Sequence, residues 1–174
     1  MGNTLPFADL VRFEEPAYPD GMLAIRHTAS IPASLAQVWQ AWTTSDGLMT
    51  FAAPFVHLDF RIHGIWESSY NPKSTLGNPA NIQNEVLAYL PMEMLTICIH
   101  RTPPGFPDPE MAQRLWTVIR MHSLDESITE VELTMLGYQP GDESSPVYQL
   151  FHRGNALTLG WLYQSFVGGP RRWE

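Results

Sequence analysis

The side chains best suited to acid–base or metal chemistry are six histidines (His27, His57, His63, His100, His122 and His152), one cysteine (Cys98) and three strand carboxylates, Asp59, Glu67 and Glu85. No two histidines stand four apart on a helix with an acid between them, so the spacing offers no zincin-like site. His57 and His63 share strand parity, but the bend at Gly64 separates them and argues against a shared metal. Cys98 sits in the apolar run MLTICI and reads as a small buried hydrophobe. A single cysteine excludes an internal disulfide and a multi-cysteine zinc site. The chain has neither a nucleophile elbow nor a phosphate loop. Asp59, Glu67 and Glu85 read as solvent-facing strand carboxylates rather than a catalytic pair. His27 falls on the apolar side of the first strand. It is either a core group with one hydrogen bond or the histidine that reaches a cavity, where burial would tune it as an acid or base. His100 and Arg101 end a strand just before a long loop, TPPGFPDPEMAQ, which is placed to act as a lid. No catalytic residue, metal site or cofactor is expected from these patterns.

Composition narrows the function classes further. The net charge is −8, Lys73 is the only lysine, and the arginines are scattered. Nucleic-acid binding rewards clustered cations, so neither a nucleic acid nor an anionic membrane surface is expected as a partner. No run approaches the roughly 18 apolar residues of a membrane span. The start MGNTLPFADLVRFEEP lacks the basic and apolar regions of a signal peptide and does not fit the myristoylation pattern, so the expected compartment is the cytoplasm. Hydrophobic residues make up 44% and charged residues 16%, which suits one domain with a substantial core. The expected division is an arm over residues 1–20, lying on the domain or on a partner, and a single domain over 21–174.

These side chains must be positioned by the elements around them. MLAIRHTASI alternates, with Leu23, Ile25, His27, Ala29 and Ile31 on one face, and predicts a half-buried strand. Ser34 and Gln37 have capping-box spacing, so a short helix starts at Leu35. Asp46 is expected to cap a second short helix through Leu48, Met49 and Phe51. Strand-like pieces follow (FVHLDFRI, IWESSY, IQNEVLAYL, EMLTICIHR, LWTVIRMHSL and ITEVELTMLGY), separated by turn formers. Short strands joined locally imply an antiparallel meander. In LWTVIRMH the apolar count favours Ile119 and Met121 facing inward, which puts Arg120 outside. A helix of about 22 residues then starts at Pro146 behind the cap Ser145, with Gly168 as its natural stop. It has two apolar faces, one through Leu150, Gly154, Leu157 and Trp161, the other through Tyr148, His152, Leu159 and Leu162. One side can lie along the sheet. The other needs a cover, either the N-terminal arm or a second copy of the chain, which would make a homodimer through that outer face.

This order, with its motifs, resembles the START-like (SRPBCC, helix-grip) superfamily, and in particular its bacterial branch similar to the C-terminal domain of the heat-shock-protein ATPase activator. The likeness covers roughly residues 22–168. It rests on IPASLAQVWQAWT, LDFRIHGIW, VLAYLPMEML, TEVELTMLGY and the pair Gly160–Trp161. The resemblance implies an α+β fold: a curved antiparallel sheet of about six to seven strands around a long C-terminal helix, with two short helices after the first strand. Two positions depart from the pattern. His63 replaces the first glycine of the bend, where a positive φ or a bulge is required. Ala88 replaces a glutamate common in relatives. Such a grip leaves a hollow between sheet and helix, with Trp39 and Trp42 plugging one end. The expected function is binding of a small hydrophobic or aromatic ligand there, by His27, Trp66, Tyr70, Ile97, Ile99, Met135, Leu157 and Trp161. The alternatives are a polyketide cyclase or aromatase, using His27 or Arg120 for protons, and a protein-interaction module.

Overall fold

A computed structural model describes residues 5–173. The first four residues of the arm, with the myristoylation pattern they begin, lie outside the described residues. In chain order the elements are β1 (Arg12–Glu14), β2 (Leu23–Ile31), α1 (Leu35–Thr43), α2 (Ser45–Met49), β3 (Phe55–Leu58), β4 (Ile65–Ser69), β5 (Ile82–Leu90), β6 (Met94–Arg101), α3 (Pro109–Arg114), β7 (Trp116–Ser123), β8 (Thr129–Tyr138) and α4 (Pro146–Gly168).

All eight strands form one antiparallel sheet in the order β1-β2-β8-β7-β6-β5-β4-β3. From β3 to β8 each strand pairs with its chain neighbour, as turn residues at short intervals dictate. The non-local step is β2 on β8, which brings Ile25 opposite Met135 and His27 opposite Leu133. It leaves the chain at one side of the sheet after Ile31, while β3 lies at the opposite edge. Helices α1 and α2 make that crossing and close the end of the curved sheet.

Local chemistry sets the helix ends. Ser34 and Gln37 complete a reciprocal capping box at α1. The second helix is capped by Thr44, not Asp46: the Thr44 hydroxyl accepts from the Gly47 N–H, and Asp46 sits in the first turn, where its charge suits the helix dipole. That helix ends at Met49, before Phe51. Ser145 caps α4 through the Val147 N–H, Pro146 opens it, and Gly169 leaves it at φ 88°.

Three further elements differ from the sequence expectation. FVHLDFRI is strand only through Leu58, because Asp59–Gly64 folds into a tight bend with the Gly64 N–H donating to the Arg61 carbonyl. The lid loop contains the one-and-a-half-turn helix α3, capped by Asp108. The arm supplies β1, an eighth strand, with Phe13 opposite His27. Further back in the arm, Phe7 lies against Gly160 of α4, so close that a Cβ on Gly160 would stand 2.0 Å from the Phe7 ring. The outer side of α4 is therefore covered at this point by the chain's own arm. The buried apolar residues fall into two clusters, one centred on Trp42, Phe51 and Leu133, the other on Leu115, Met135 and Tyr138.

Candidate functional site

Between the sheet and α4 lies a cavity of about 590 Å³ whose wall draws on both clusters. Side chains that alternate along a strand share one face. The inward rows here are Trp66 and Ser68 on β4, Ile82 and Asn84 on β5, Ile97 and Ile99 on β6, Thr117 and Ile119 on β7, and Leu133 and Met135 on β8. Helix α4 contributes Phe151, Asn155 and Thr158, one stripe at helical spacing. Trp42 of α1 closes one end, buried to 1% exposure and edge-on to Trp66 at 6.4 Å. Trp39 stands outside the wall, edge-on to Phe60. Pro103 and Phe106 of the α3 loop and Tyr70 line the cavity from loops, and Tyr70 is 70% exposed.

Five of the expected ligand contacts, Trp66, Tyr70, Ile97, Ile99 and Met135, line this cavity. Leu157, Trp161 and His27 are placed elsewhere. On α4 the wall takes in Leu150, Phe151, Gly154, Asn155 and Thr158; Leu157 lies at the edge of that arc, about 100° from Thr158, and Trp161 lies about a turn beyond its end. Trp161 instead carries the Arg171 guanidinium 3.9 Å above its ring, with Trp173 edge-on at 5.7 Å. His27 is fully buried beneath the arm, its ring 5.0 Å from Phe13 and 5.2 Å from His152. Neither of its ring nitrogens has a hydrogen-bond partner. Burial, and then the neighbouring His152, lower its pKa from 6.5 to about 4, so it is a neutral core group. The added strand β1 is what separates His27 from solvent. Arg120 faces outward, exposed, while Ile119 and Met121 are buried.

Glu67 reverses its expected position. It is 2% exposed, and its carboxylate accepts from the Gly77 N–H, Asn81 Nδ2 and Gln83 Nε2, each at 2.6 Å. Burial alone would raise its pKa, but these donors outweigh it and hold the group below the usual carboxylate range. The network fastens the 71–80 segment, which brings Asn71 and Ala80 to the cavity wall. His63 takes φ 61° at the bend and bonds Glu85 at 2.6 Å, and His100 stands 3.5 Å from the same carboxylate. Among the described residues, no group of three or more His, Cys, Asp or Glu side chains is placed to hold a metal ion, and no helix is long and apolar enough to cross a membrane.

The sequence pattern did not single out Asn155, Phe106, Phe151 or Thr117. The i, i+4 pair Phe151–Asn155 was a usable signal, because an amide between apolar neighbours on a buried helix needs a polar partner or a hollow. Chemically the wall is an apolar container with neutral polar points. Among the described residues it includes no Asp, Glu, His, Lys or Arg. Cys98 does line it, with a thiol pKa pushed up by burial and then by the Glu85 charge.

No family model matches the sequence, and no curated protein matches it. Solved structures do. The Aha1 dimer from Colwellia psychrerythraea is 18% identical, with 84% of this chain and 97% of that chain covered and a TM-score of 0.66. CalU16 from Micromonospora echinospora is 19% identical over 93% of this chain and 85% of that one, with a TM-score of 0.59. Norcoclaurine synthase from Thalictrum flavum, in complex with dopamine and hydroxybenzaldehyde, is 8% identical over 87% and 90%, with a TM-score of 0.60. The fold is thus shared with these proteins, and the chain has the START-like helix-grip fold.

Proposed function

We propose that the protein binds a small, uncharged hydrophobic or aromatic molecule in the cavity between the sheet and α4. The observation that carries this reading is the wall itself: about 590 Å³ of mostly apolar space without an Asp, Glu, His, Lys or Arg among its described residues, its two weak acids, Cys98 and Tyr70, being pushed above their ordinary pKa by burial. That volume lies within the ~300–1,000 Å³ of small-molecule pockets. General acid–base catalysis needs a proton-transfer group within hydrogen-bond reach of the substrate. The groups weighed for that task, His27 and Arg120, are outside this wall. Binding without turnover therefore accounts for the site better than a cyclase does. The synthase of the same fold that holds two small aromatic molecules supports the choice of ligand class.

The test uses the uncharged dye N-phenyl-1-naphthylamine and the substitution Gly154→Phe. Gly154 lies on the cavity wall, and a Cβ there meets nothing within 4 Å, so the new ring enters open space on a helix that tolerates it. The dye should bind one molecule per chain with enhanced fluorescence, and Gly154→Phe should abolish binding while keeping the parent's circular dichroism and unfolding transition. A dye that fails to bind the parent, or binds the variant equally well, overturns the reading.

A further inference from the structure

The hollow reaches the surface between α4 and the edge of the sheet: Leu150 on α4 and Tyr70 after β4 both line it, and they are 45% and 70% exposed. One end of that opening is bordered by residues 169–173. Gly169, at φ 88°, ends α4 and turns the chain back. The Arg171 N–H then donates to the Thr50 carbonyl at 2.8 Å, and Trp173 Nε1 donates to the Met49 carbonyl at 2.9 Å. Both carbonyls belong to the end of α2, where a helix leaves its carbonyls without partners of their own. The Arg171 guanidinium lies 3.9 Å from the ring centre of Trp161 and 4.8 Å from that of Trp173. The Trp173 ring in turn stands 6.2 Å from Tyr70.

These few residues bridge three elements around the hollow. They hold the end of α2, just before the lining residues Ala52 and Ala53, and they meet Tyr70 after β4 and Trp161 on α4. Yet Arg171 and Arg172 are exposed and Trp173 is only half-buried. Two hydrogen bonds near the surface and one stacked cation are modest contacts, and a segment fastened this way opens while the domain stays folded. None of residues 169–173 is on the cavity wall. Building on the proposed binding role, we infer that residues 169–173 are a strap over one end of the cavity's opening. The strap lets go of α2 and Tyr70 for a ligand to pass and closes again behind it. A strap that spans the passage without lining the hollow governs how fast a ligand enters and leaves, not how tightly it is held.

Stopped-flow fluorescence with N-phenyl-1-naphthylamine, excited directly, reads both rates. Trp173→Ala removes the indole bond to Met49 and one face of the Arg171 stack. Arg171→Ala removes the stacked cation and keeps the backbone bond to Thr50. Both positions lie outside the buried clusters, and either variant that keeps the parent's unfolding transition decides the matter. Association and dissociation should quicken together, about tenfold in Trp173→Ala and severalfold in Arg171→Ala, with the dissociation constant within about twofold of the parent's. Arg172→Ala, at an exposed side chain of the same segment, is the control and should leave both rates alone. If the parent binds the dye and the strap variants keep its rates, this inference falls and the binding role stands. It also falls if dissociation alone quickens, since the segment then helps to hold the ligand, or if Arg172→Ala quickens binding as much as the other two. If the dye does not bind the parent protein, the binding role falls and takes this inference with it.

Discussion

Removing the His27 imidazole should flatten the acid limb of the stability curve without weakening the protein at neutral pH. The folded state keeps His27 neutral, with a pKa of about 4 against 6.5 in the open chain. Below pH 6.5 the unfolded chain takes up a proton that the folded chain refuses, so stability is fully present above about pH 7 and is lost as pH falls toward 4. At about 1.4 kcal/mol per pH unit, the gap between 6.5 and 4 sets a ceiling near 3 kcal/mol, of which about 2 kcal/mol is lost by pH 5. Phe13 from the arm and His152 from α4 stand against the ring, and next to His152 are Tyr148 and Glu15, with Tyr148 donating to Glu15. His152 is also lowered by burial, with Glu15 pulling the other way, and it leaves a smaller slope of the same sign in the variant. Because both His27 nitrogens lack partners, His27→Leu removes no hydrogen bond and should match the parent at pH 7.5. Urea unfolding of both proteins from pH 7.5 to 5 is the assay. Parallel curves, or a variant that is several kcal/mol weaker at pH 7.5, would refute the reasoning.

Other substitutions probe the elements that hold the cavity in shape. Ser34→Ala removes the hydroxyl half of the capping box, which accepts from the Gln37 N–H, and should cost about 1 kcal/mol in urea unfolding. Gly160→Ala puts a methyl group 2.0 Å from the Phe7 ring and should lift the arm, with a loss of about 1–2 kcal/mol and faster proteolysis before Arg12. Glu67→Gln replaces a carboxylate that accepts three N–H bonds with a group that cannot satisfy them all. It should cost on the order of 2 kcal/mol and speed hydrogen exchange through residues 71–81. His63→Gly relieves the positive φ but gives up the Glu85 contact. The relief of the positive φ should win by up to about 1 kcal/mol in the same assay.

What could be read from the sequence was local. Ser34 with Gln37, and Ser145 with Pro146, fix helix starts through bonds made within one turn. The alternation through Leu23–Ile31 fixes a strand, and the turn formers fix the meander. Misplaced features were those decided by distant chain. Leu157 and Trp161 share an apolar stripe with Leu150 and Gly154, which do line the cavity, but how far the hollow reaches along and around α4 is set by the sheet. Glu67 has the parity of an ordinary strand carboxylate. Its burial depends on Gly77 and Asn81 folding back over it, which no periodicity reports. His27 was on the apolar face as read, but the strand that covers it comes from an arm whose prolines conceal any period. Thr44 displaced Asp46 as a cap because α1 runs on to Thr43 and leaves Thr44 alone at the junction between helices.

The pairing of Trp42 with Trp66 at the end of the hollow gives the protein a built-in optical reporter. Of its six tryptophans, these are the two that line the cavity. Their indoles are buried among apolar side chains, which places their emission toward the blue. A guest in the hollow would lie beside both rings and change that emission. Occupancy of the site can thus be followed in the unlabelled protein.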